Sequence, residues 1–282
     1  MTRSFDPRVT PVRPDLAGAE LRGAIEAPRY AQGQMMQVIE ASAPLRRAPQ
    51  PDAPLETEAL LGEMVGVYDE AEGWAWAQLA RDGYVGYLPQ VALGLPRAPA
   101  THRVAALRTH AYPGPSIKLP PLMAVSLGAR VAIRGEDGDF AVAADGLHYW
   151  ARCLAPVGSH EPDFVEVAER FLGAPYLWGG KTSDGIDCSG LVQTALAAAG
   201  LASPRDADMM ETALGVRLPV GGALRRGDLA FWRGHVGVMR DETTLLHASG
   251  WHMQVVSEPF GSARDRIAAA GGGDVTSVRR VL

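Results

Sequence analysis

Hydrophobic and polar residues alternate in short runs through the first third of the chain. Runs such as Glu63-Met64-Val65-Gly66-Val67-Tyr68 and Trp74-Ala75-Trp76-Ala77-Gln78-Leu79 are separated by the turn-forming pairs Glu72-Gly73 and Asp82-Gly83. Alternation with a period of two is typical of strands that bury one face. Short strands at this spacing predict a small all-β barrel over 35–97.

The following residues repeat this plan less regularly. Three segments have the composition of strands: 104–107, 129–133 and 140–143. A proline-rich stretch over 112–121 is predicted to form a long loop. We therefore predict a second, more divergent barrel over 98–158. Residues 1–34 are rich in Pro, Arg and Asp, and we predict that they form an arm packed along the outside of the protein.

The last part of the chain, 159–282, has a different order of elements. Apolar residues at helical spacing predict three helices: 162–172, 191–199 and 207–214. Pro162 suits the first helical position. Four strand-like segments follow: 228–232, 235–239, 244–248 and 255–256. Helices followed by an antiparallel sheet predict an α+β domain.

Composition narrows the class of protein. The 282 residues are 47% hydrophobic and 21% charged, with a net charge of −5, as in an ordinary globular protein. The acidic balance and the lack of a basic stripe argue against nucleic acid or a membrane as a partner. Two cysteines cannot build a disulfide framework, and the amino terminus lacks the apolar core of a secretory signal. We therefore expect a cytoplasmic protein.

The candidate catalytic nucleophile is Cys188, in the run Ile186-Asp187-Cys188-Ser189-Gly190. An extended segment here gives way to an apolar helix. Unpaired N–H groups and the dipole at a helix start favour negative charge, which predicts a thiol that ionises readily. His235 and His247 follow on separate strand-like segments, and a hairpin can place both rings on one face. A thiol, a base and a group that orients the base are the residues that a cysteine hydrolase needs.

Other interpretations of these residues stay open. Cys188 can be an inert buried thiol, and either histidine can be a structural residue of a strand. The three side chains can also be zinc ligands, although no paired Cys-x-x-Cys or His-x-x-x-His spacing supports a metal site. Cys153 is predicted to be a buried structural thiol. We therefore predict neither a metal nor a cofactor.

Five segments in order resemble the NlpC-type family of cell-wall cysteine peptidases. They are Ala174-Pro175-Tyr176-Leu177-Trp178-Gly179-Gly180, Asp187-Cys188-Ser189-Gly190-Leu191-Val192, Arg226-Gly227-Asp228-Leu229, Gly234-His235-Val236-Gly237-Val238 and Leu246-His247-Ala248. The resemblance implies a papain-like fold with Cys188 as nucleophile, His235 as general base and His247 as the group that orients this base. It also implies that the hydroxyl of Tyr176 and the backbone N–H of Cys188 hold the oxyanion.

The amino-terminal segments add a second resemblance. Leu60-Leu61-Gly62-Glu63, Gly73-Trp74 and Asp82-Gly83-Tyr84-Val85-Gly86-Tyr87 resemble a bacterial Src-homology-3 barrel. Two such barrels before the peptidase resemble the γ-D-glutamyl-L-diamino acid endopeptidases of peptidoglycan recycling, which are similar to dipeptidyl-peptidase VI. In that family the first barrel closes the cleft, so that only a peptide with a free N-terminal L-Ala fits.

The resemblance also implies residues that bind this substrate. A buried ammonium needs acceptors, because its desolvation is costly. Asp206 and Glu63 occupy the acidic positions of the family, and a tyrosine of the first barrel is expected to join them. The sequence does not distinguish Tyr84 from Tyr87 for this role, and we take Tyr87 as the candidate. Asp187 and Ser189 are predicted to contact the substrate backbone. Glu63 as a surface charge and Asp206 as a helix N-cap are the structural alternatives.

The sequence thus predicts a cysteine endopeptidase that cleaves L-Ala-γ-D-Glu from the following L-diamino acid of a muropeptide with a free N-terminal L-Ala. One alternative is a broader NlpC-type wall hydrolase, amidase or acyl transferase. Another is a non-catalytic peptide-binding protein. The sequence does not distinguish lysine from diaminopimelate as the diamino acid, and it does not indicate the oligomeric state.

Overall fold

The computed structural model describes residues 5–219 and 221–281. Two compact units divide the chain, the first ending at Val157 and the second beginning at Gly158. Each helix in the described part of the chain is too short or too polar to cross a bilayer.

The arm predicted over 1–34 contains a small sheet of its own. Its strands are β1 (Val12–Arg13), β2 (Leu16–Gly18) and β3 (Tyr30–Ala31). Leu16 and Ala17 are fully buried, although the amphipathic pattern around them is short. The backbone N–H of Val85 donates to the Arg8 carbonyl at 2.7 Å, so the arm is hydrogen-bonded to the sheet that follows. The residues before Phe5 lie outside the described part of the chain.

A seven-stranded antiparallel sheet follows the arm and is called the first β-module. Its strands are β4 (Gln34–Val38), β5 (Ser42–Arg46), β6 (Leu55–Leu60), β7 (Met64–Ala71), β8 (Trp74–Leu79), β9 (Val85–Pro89) and β10 (Leu93–Gly94), in the order β10-β4-β7-β8-β9-β5-β6. Ala59 and Leu93, from opposite edges of this order, share one apolar core, so the sheet curls around it. At the tip of the β7–β8 hairpin Glu72 and Gly73 both have positive φ, as the predicted tight turn requires.

The second β-module covers His102 to Pro156 and consists of two sheets around one core. Its strands are β11 (His102–Val104), β12 (Arg108–Tyr112), β13 (Met123–Ser126), β14 (Arg130–Val131), β15 (Ile133–Asp137), β16 (Phe140–Ala143), β17 (His148–Trp150) and β18 (Leu154–Pro156). The sheet orders are β14-β11-β18 and β13-β12-β17-β16-β15. The strand predicted over 104–107 is wrong beyond Val104, because the chain turns there before β12 begins.

In its described residues, the second unit combines four helices with a six-stranded antiparallel sheet. The helices are α1 (Phe164–Glu169), α2 (Cys188–Ala198), α3 (Ala207–Ala213) and α4 (Phe260–Ala269). The strands are β19 (Lys181–Thr182), β20 (Gly185–Ile186), β21 (Val216–Arg217), β22 (Asp228–Trp232), β23 (His235–Met239), β24 (Thr244–Ser249), β25 (Gln254–Pro259) and β26 (Ser277–Arg280). The sheet order is β21-β26-β22-β23-β24-β25, and α2 packs against β23 and β24. The four strands predicted from the sequence thus form the centre and one edge of this sheet.

The first predicted helix of this unit begins and ends differently from the expectation. Asp163 is its N-cap, and its carboxylate accepts a hydrogen bond from the Val165 N–H at 2.8 Å. Pro162 therefore precedes the cap and is not the first helical residue. An aspartate that can accept this bond is a better cap than any apolar alternative, which explains the difference.

Candidate active site

Cys188 is the first residue of α2, where the short strand β20 ends. Its residue surface is 6% exposed, and Asp187 before it caps the helix by accepting from the Gly190 N–H at 2.6 Å. The backbone N–H of Val236 interacts with the sulfur and stabilises its anionic form. Because Val236 follows His235, this contact places the thiol at the beginning of β23.

The carboxylate of Asp187 connects α2 to two neighbouring segments. It accepts from the Gly179 N–H at 2.8 Å and from both terminal nitrogens of Arg205, at 2.7 and 3.0 Å. Arg205 also donates to Ser189 Oγ at 2.7 Å, and its side chain is 1% exposed. Asp187 and Ser189 thus hold the start of α2 in place, and their predicted contact with the substrate stays a prediction.

His235 and His247 are hydrogen-bonded to each other. His235 Nε2 lies 2.8 Å from His247 Nδ1, across the neighbouring strands β23 and β24. His247 is 1% exposed, whereas His235 is partly exposed. This bond uses Nε2 of the His235 ring, so Nδ1 is the ring nitrogen that does not contact His247. The hairpin register therefore brings both rings together, and the Val236 contact brings the thiol close to them.

Two further charged residues, Glu258 and Arg266, are linked to the histidine pair by a hydrogen bond and an ion pair. His247 Nε2 lies 2.9 Å from Glu258 Oε1 on β25, and the same carboxylate forms an ion pair with Arg266 on α4. Neither residue belongs to the predicted site. Their positions depend on the pairing of β24 with β25 and on the docking of α4. The sequence pattern did not predict α4.

The expected acidity of the thiol is wrong for the resting site. Burial, together with the negative charge of Asp187, raises the pKa of Cys188 to about 12. The backbone amides of Val236 and Ser189 and the cation of Arg205 act in the opposite direction but are weaker. Burial likewise lowers the pKa of His235 to about 3. A neutral thiol beside a neutral imidazole is therefore the resting form.

Tyr176 and Asp206 lie on two loops of the same unit. Burial raises the pKa of the Tyr176 hydroxyl, and negative charge at Cys188 raises it further, so the two groups are within electrostatic reach. Asp206 occupies the N-cap position of α3, but its side chain makes no capping hydrogen bond. The structural alternative is therefore confirmed for the position of Asp206 but not for a capping hydrogen bond, and its role toward an amine stays a prediction.

The predicted residues of the first β-module differ in exposure. Glu63 is 5% exposed and lies between β6 and β7, where its carboxylate accepts from Arg81 at 2.6 Å and from the Leu60 N–H at 3.2 Å. It is therefore not a surface charge. Tyr84 is 3% exposed within the core, whereas Tyr87 on β9 is partly exposed. An amine that binds Glu63 would compete with Arg81.

The zinc alternative does not fit the histidine geometry. His247 uses both ring nitrogens, one toward His235 and one toward Glu258, so that neither nitrogen is available to a metal. Over 5–219 and 221–281, no group of three or more His, Cys, Asp or Glu side chains could hold a metal ion. Cys153 and Cys188 are both free thiols, and Cys153 is only partly buried.

Comparison with known proteins identifies two domains. Residues 45–93 match the bacterial dipeptidyl-peptidase SH3 domain, and residues 173–266 match the NlpC/P60 family. A gamma-D-glutamyl-L-lysine dipeptidyl-peptidase of Bacillus cereus is 29% identical over 202 residues, which are 63% of this chain and 60% of that protein. Dipeptidyl-peptidase 6 of Lysinibacillus sphaericus is 38% identical over 85 residues, 30% of this chain and 31% of that protein. The chain thus spans less than two thirds of the length of either relative.

A solved structure shares the fold. The crystal structure of an NlpC/P60 family protein from Bacillus cereus has a TM-score of 0.74 and covers 88% of this chain and 100% of its own, at 22% sequence identity. The resemblance that the sequence motifs carry is therefore confirmed: the chain contains a dipeptidyl-peptidase SH3 domain followed by a domain of the NlpC/P60 family.

Proposed function

We propose that the protein is a cysteine endopeptidase that hydrolyses the γ-D-glutamyl–L-diamino acid bond of peptidoglycan stem peptides and releases L-Ala-γ-D-Glu. The observation that carries this proposal is the Cys188 thiol at the start of α2 beside the hydrogen-bonded His235–His247 pair. The gamma-D-glutamyl-L-lysine dipeptidyl-peptidase among the relatives supports the substrate class.

The first chemical step is proton transfer from the Cys188 thiol to His235. The S–H bond breaks, a bond from hydrogen to His235 Nδ1 forms, and the sulfur keeps the electron pair and attacks the γ-glutamyl carbonyl carbon. Because the resting pair is neutral, the two charges develop only as this transfer occurs. The Val236 and Ser189 amides and the Arg205 cation already favour negative charge on the sulfur.

The second half of the reaction releases the two products in turn. The oxyanion that forms on the carbonyl is held by the backbone N–H of Cys188 and the hydroxyl of Tyr176. His235 then donates its proton to the leaving amine of the diamino acid, and a thioester remains on Cys188. Water attacks the thioester and gives a proton to His235, the carbon–sulfur bond breaks, and the sulfur takes this proton back. L-Ala-γ-D-Glu leaves with a new carboxyl group, which loses its proton to solvent.

A free N-terminal amine on the substrate is part of the proposal. The family resemblance implies Asp206, Glu63 and Tyr87 as the residues that accept this ammonium group. Glu63 pairs with Arg81, so an amine that binds Glu63 would have to replace this ion pair. The proposed setting is the recycling of muropeptides in the cytoplasm.

A peptide cleavage assay tests the proposal. The full chain should release L-Ala-γ-D-Glu from L-Ala-γ-D-Glu-L-Lys or from the diaminopimelate peptide, as measured by chromatography and mass spectrometry. Cys188→Ala should lower turnover by about 10³-fold or more while still binding the peptide. Cys153→Ala is the matched control and should turn over like the unchanged chain.

Three outcomes separate the proposal from its alternatives. The N-acetylated peptide should survive, and equal cleavage of both peptides would exclude the amine anchor. Solubilisation of intact sacculi at a similar rate would favour a broad wall hydrolase. Binding of the peptide without turnover by the unchanged chain would favour a non-catalytic binding protein.

A further inference from the structure

The hydrogen bonds of the histidine pair end at a carboxylate. His247 pairs with Val256 in the β24–β25 register, and Leu245 pairs with Glu258. Glu258 is therefore a diagonal neighbour of His247 on the same face of the sheet. This register places its Oε1 2.9 Å from His247 Nε2, while His247 Nδ1 faces His235 Nε2 at 2.8 Å.

The charges of these groups are fixed near neutral pH. The hydrogen bond from His247 and the cation of Arg266 lower the pKa of Glu258, so this carboxylate is ionised. Burial lowers the pKa of His247, so this ring is neutral and carries one proton. An ionised carboxylate only accepts hydrogen bonds, whereas a neutral imidazole has one donor and one acceptor nitrogen.

These constraints determine where every ring proton lies. Because Glu258 only accepts, the single proton of His247 must be on Nε2. His247 Nδ1 is then an acceptor, so that the proton of His235 must be on its own Nε2. The lone pair of His235 Nδ1 is consequently free to accept the proton of the Cys188 thiol.

We propose that Glu258 is a positioning residue that sets the tautomers of both histidines and thereby makes His235 Nδ1 the base for Cys188. The inference rests on the proposed function only in taking Cys188 as the nucleophile. The inference states which nitrogen carries the proton in each histidine ring, and these positions can be measured without a substrate.

The carboxylate also acts on the charge that develops during the reaction. When His235 accepts the thiol proton it becomes an imidazolium, and the negative charge of Glu258 stabilises it. Several other groups face this array: Asp187, Tyr176 and Arg205 around Cys188, and Arg266 and His252 around Glu258. Among the groups that act on His235, Glu258 alone raises its pKa, whereas burial, His247 and Arg266 lower it.

Nitrogen-15 NMR of the histidine rings tests the tautomers directly. The chain has only seven histidines, so His235→Gln and His247→Gln variants assign the two signals. The unchanged chain should show both rings protonated at Nε2. Glu258→Gln should give a mixture of tautomers, because an amide can donate as well as accept. Glu258→Asp should retain the Nε2–H form, since it remains an acceptor.

Alkylation of Cys188 by iodoacetamide gives a second readout that needs no peptide. Glu258→Gln should lower the alkylation rate near neutral pH by about tenfold or more. The acid limb of its pH profile should move to lower pH, because the His235 base loses a stabilising anion. Glu242→Gln, which removes an exposed carboxylate in the turn between β23 and β24, is the matched control and should alkylate at the rate of the unchanged chain.

Two results would overturn the proposal. One is a His247 ring protonated at Nδ1 in the unchanged chain, which can be measured even if every Glu258 variant fails to fold. The other is a folded Glu258→Gln variant with unchanged tautomers and an unchanged alkylation rate. Correct tautomers together with no cleavage of γ-D-glutamyl peptides would instead contradict only the proposed substrate.

Discussion

Arg205 and Asp187 form a buried ion pair one residue from the candidate nucleophile. Their side chains are 1% and 9% exposed, and two charge-assisted hydrogen bonds join them. Removal of one partner from a buried pair leaves an unpaired charge and costs about 3–5 kcal/mol. We therefore expect Asp187→Asn to lower the free energy of unfolding by about this amount, as measured by urea titration of the full chain.

The double variant and a surface control make this test specific. Asp187→Asn combined with Arg205→Met should cost less than the sum of the two single variants, because the second change removes the orphaned charge. Arg226→Gln breaks two ion pairs, with Asp163 and with Glu169, in which the arginine is 38% exposed, and each should contribute less than about 1 kcal/mol. If Asp187→Asn and Arg226→Gln lower the free energy of unfolding equally, burial of the ion pair does not determine the cost of breaking it.

Among the residues of the candidate site, the sequence predicted those that lie in a recognisable local pattern. Cys188 lies in a polar segment at a helix start, and the two histidines lie on segments with clear strand patterns. Glu258 and Arg266 carry no such signal, because their contact with His247 depends on a strand register and on helix docking. Arg205 stands beside Asp206 in the sequence, but only the fold shows that it is buried. The acidity of the thiol was predicted wrongly because a helix dipole is local, whereas desolvation depends on the whole site.

The elements were predictable where their apolar residues are periodic. The strands β22, β23 and β24 are almost wholly buried, and their runs of apolar residues indicated them. In α4 only Ala263 is fully buried, so this helix has too few apolar positions to be recognised. The second β-module was predictable as strands separated by turns, but its two-sheet order depends on pairings between residues far apart in sequence.

The beginning of α2 is held at a very short distance from the preceding loop. A Cβ atom at Gly190 would lie 2.3 Å from the Gly180 carbonyl oxygen, closer than real contacts allow. We expect Gly190→Ala to displace the start of α2 and to lower the free energy of unfolding by about 1–3 kcal/mol. Peptidase turnover should fall as well, because the displaced helix carries Cys188. Urea unfolding and the cleavage assay measure the two effects.

Gly261 in the first turn of α4 is the matched control for this element. A Cβ atom there would meet nothing within 4 Å, and its φ is not in the left-handed region. Gly261→Ala should therefore leave turnover unchanged and raise stability by up to about 1 kcal/mol, the helix propensity difference. A Gly190→Ala variant as stable and as active as Gly261→Ala would show that the close approach has no consequence.

At the scale of the first unit, the two β-modules share side chains in one core. Leu60 and Leu61 come at the end of β6, yet they pack with Val104 and Tyr149 of the second module. The Arg130 N–H donates to the Leu61 carbonyl at 2.8 Å across the same junction. Two modules that bury each other's apolar surface are expected to unfold together.

Gly62 offers a way to test this coupling. Its φ of +80° is in the left-handed region, and a Cβ atom would lie 2.1 Å from the Arg130 carbonyl oxygen. Gly62→Ala should therefore cost about 2 kcal/mol or more, from backbone strain and from displacement of the junction. Amide hydrogen exchange should show equal losses of protection in β8 and β16, one strand from each module.

Gly146→Ala is the control variant. Gly146 has a similar φ of +88°, but a Cβ atom there meets nothing within 4 Å, so the change should cost only the backbone strain of about 1–2 kcal/mol. If Gly62→Ala lowers protection in one module alone, the modules are independent and the shared core does not couple them.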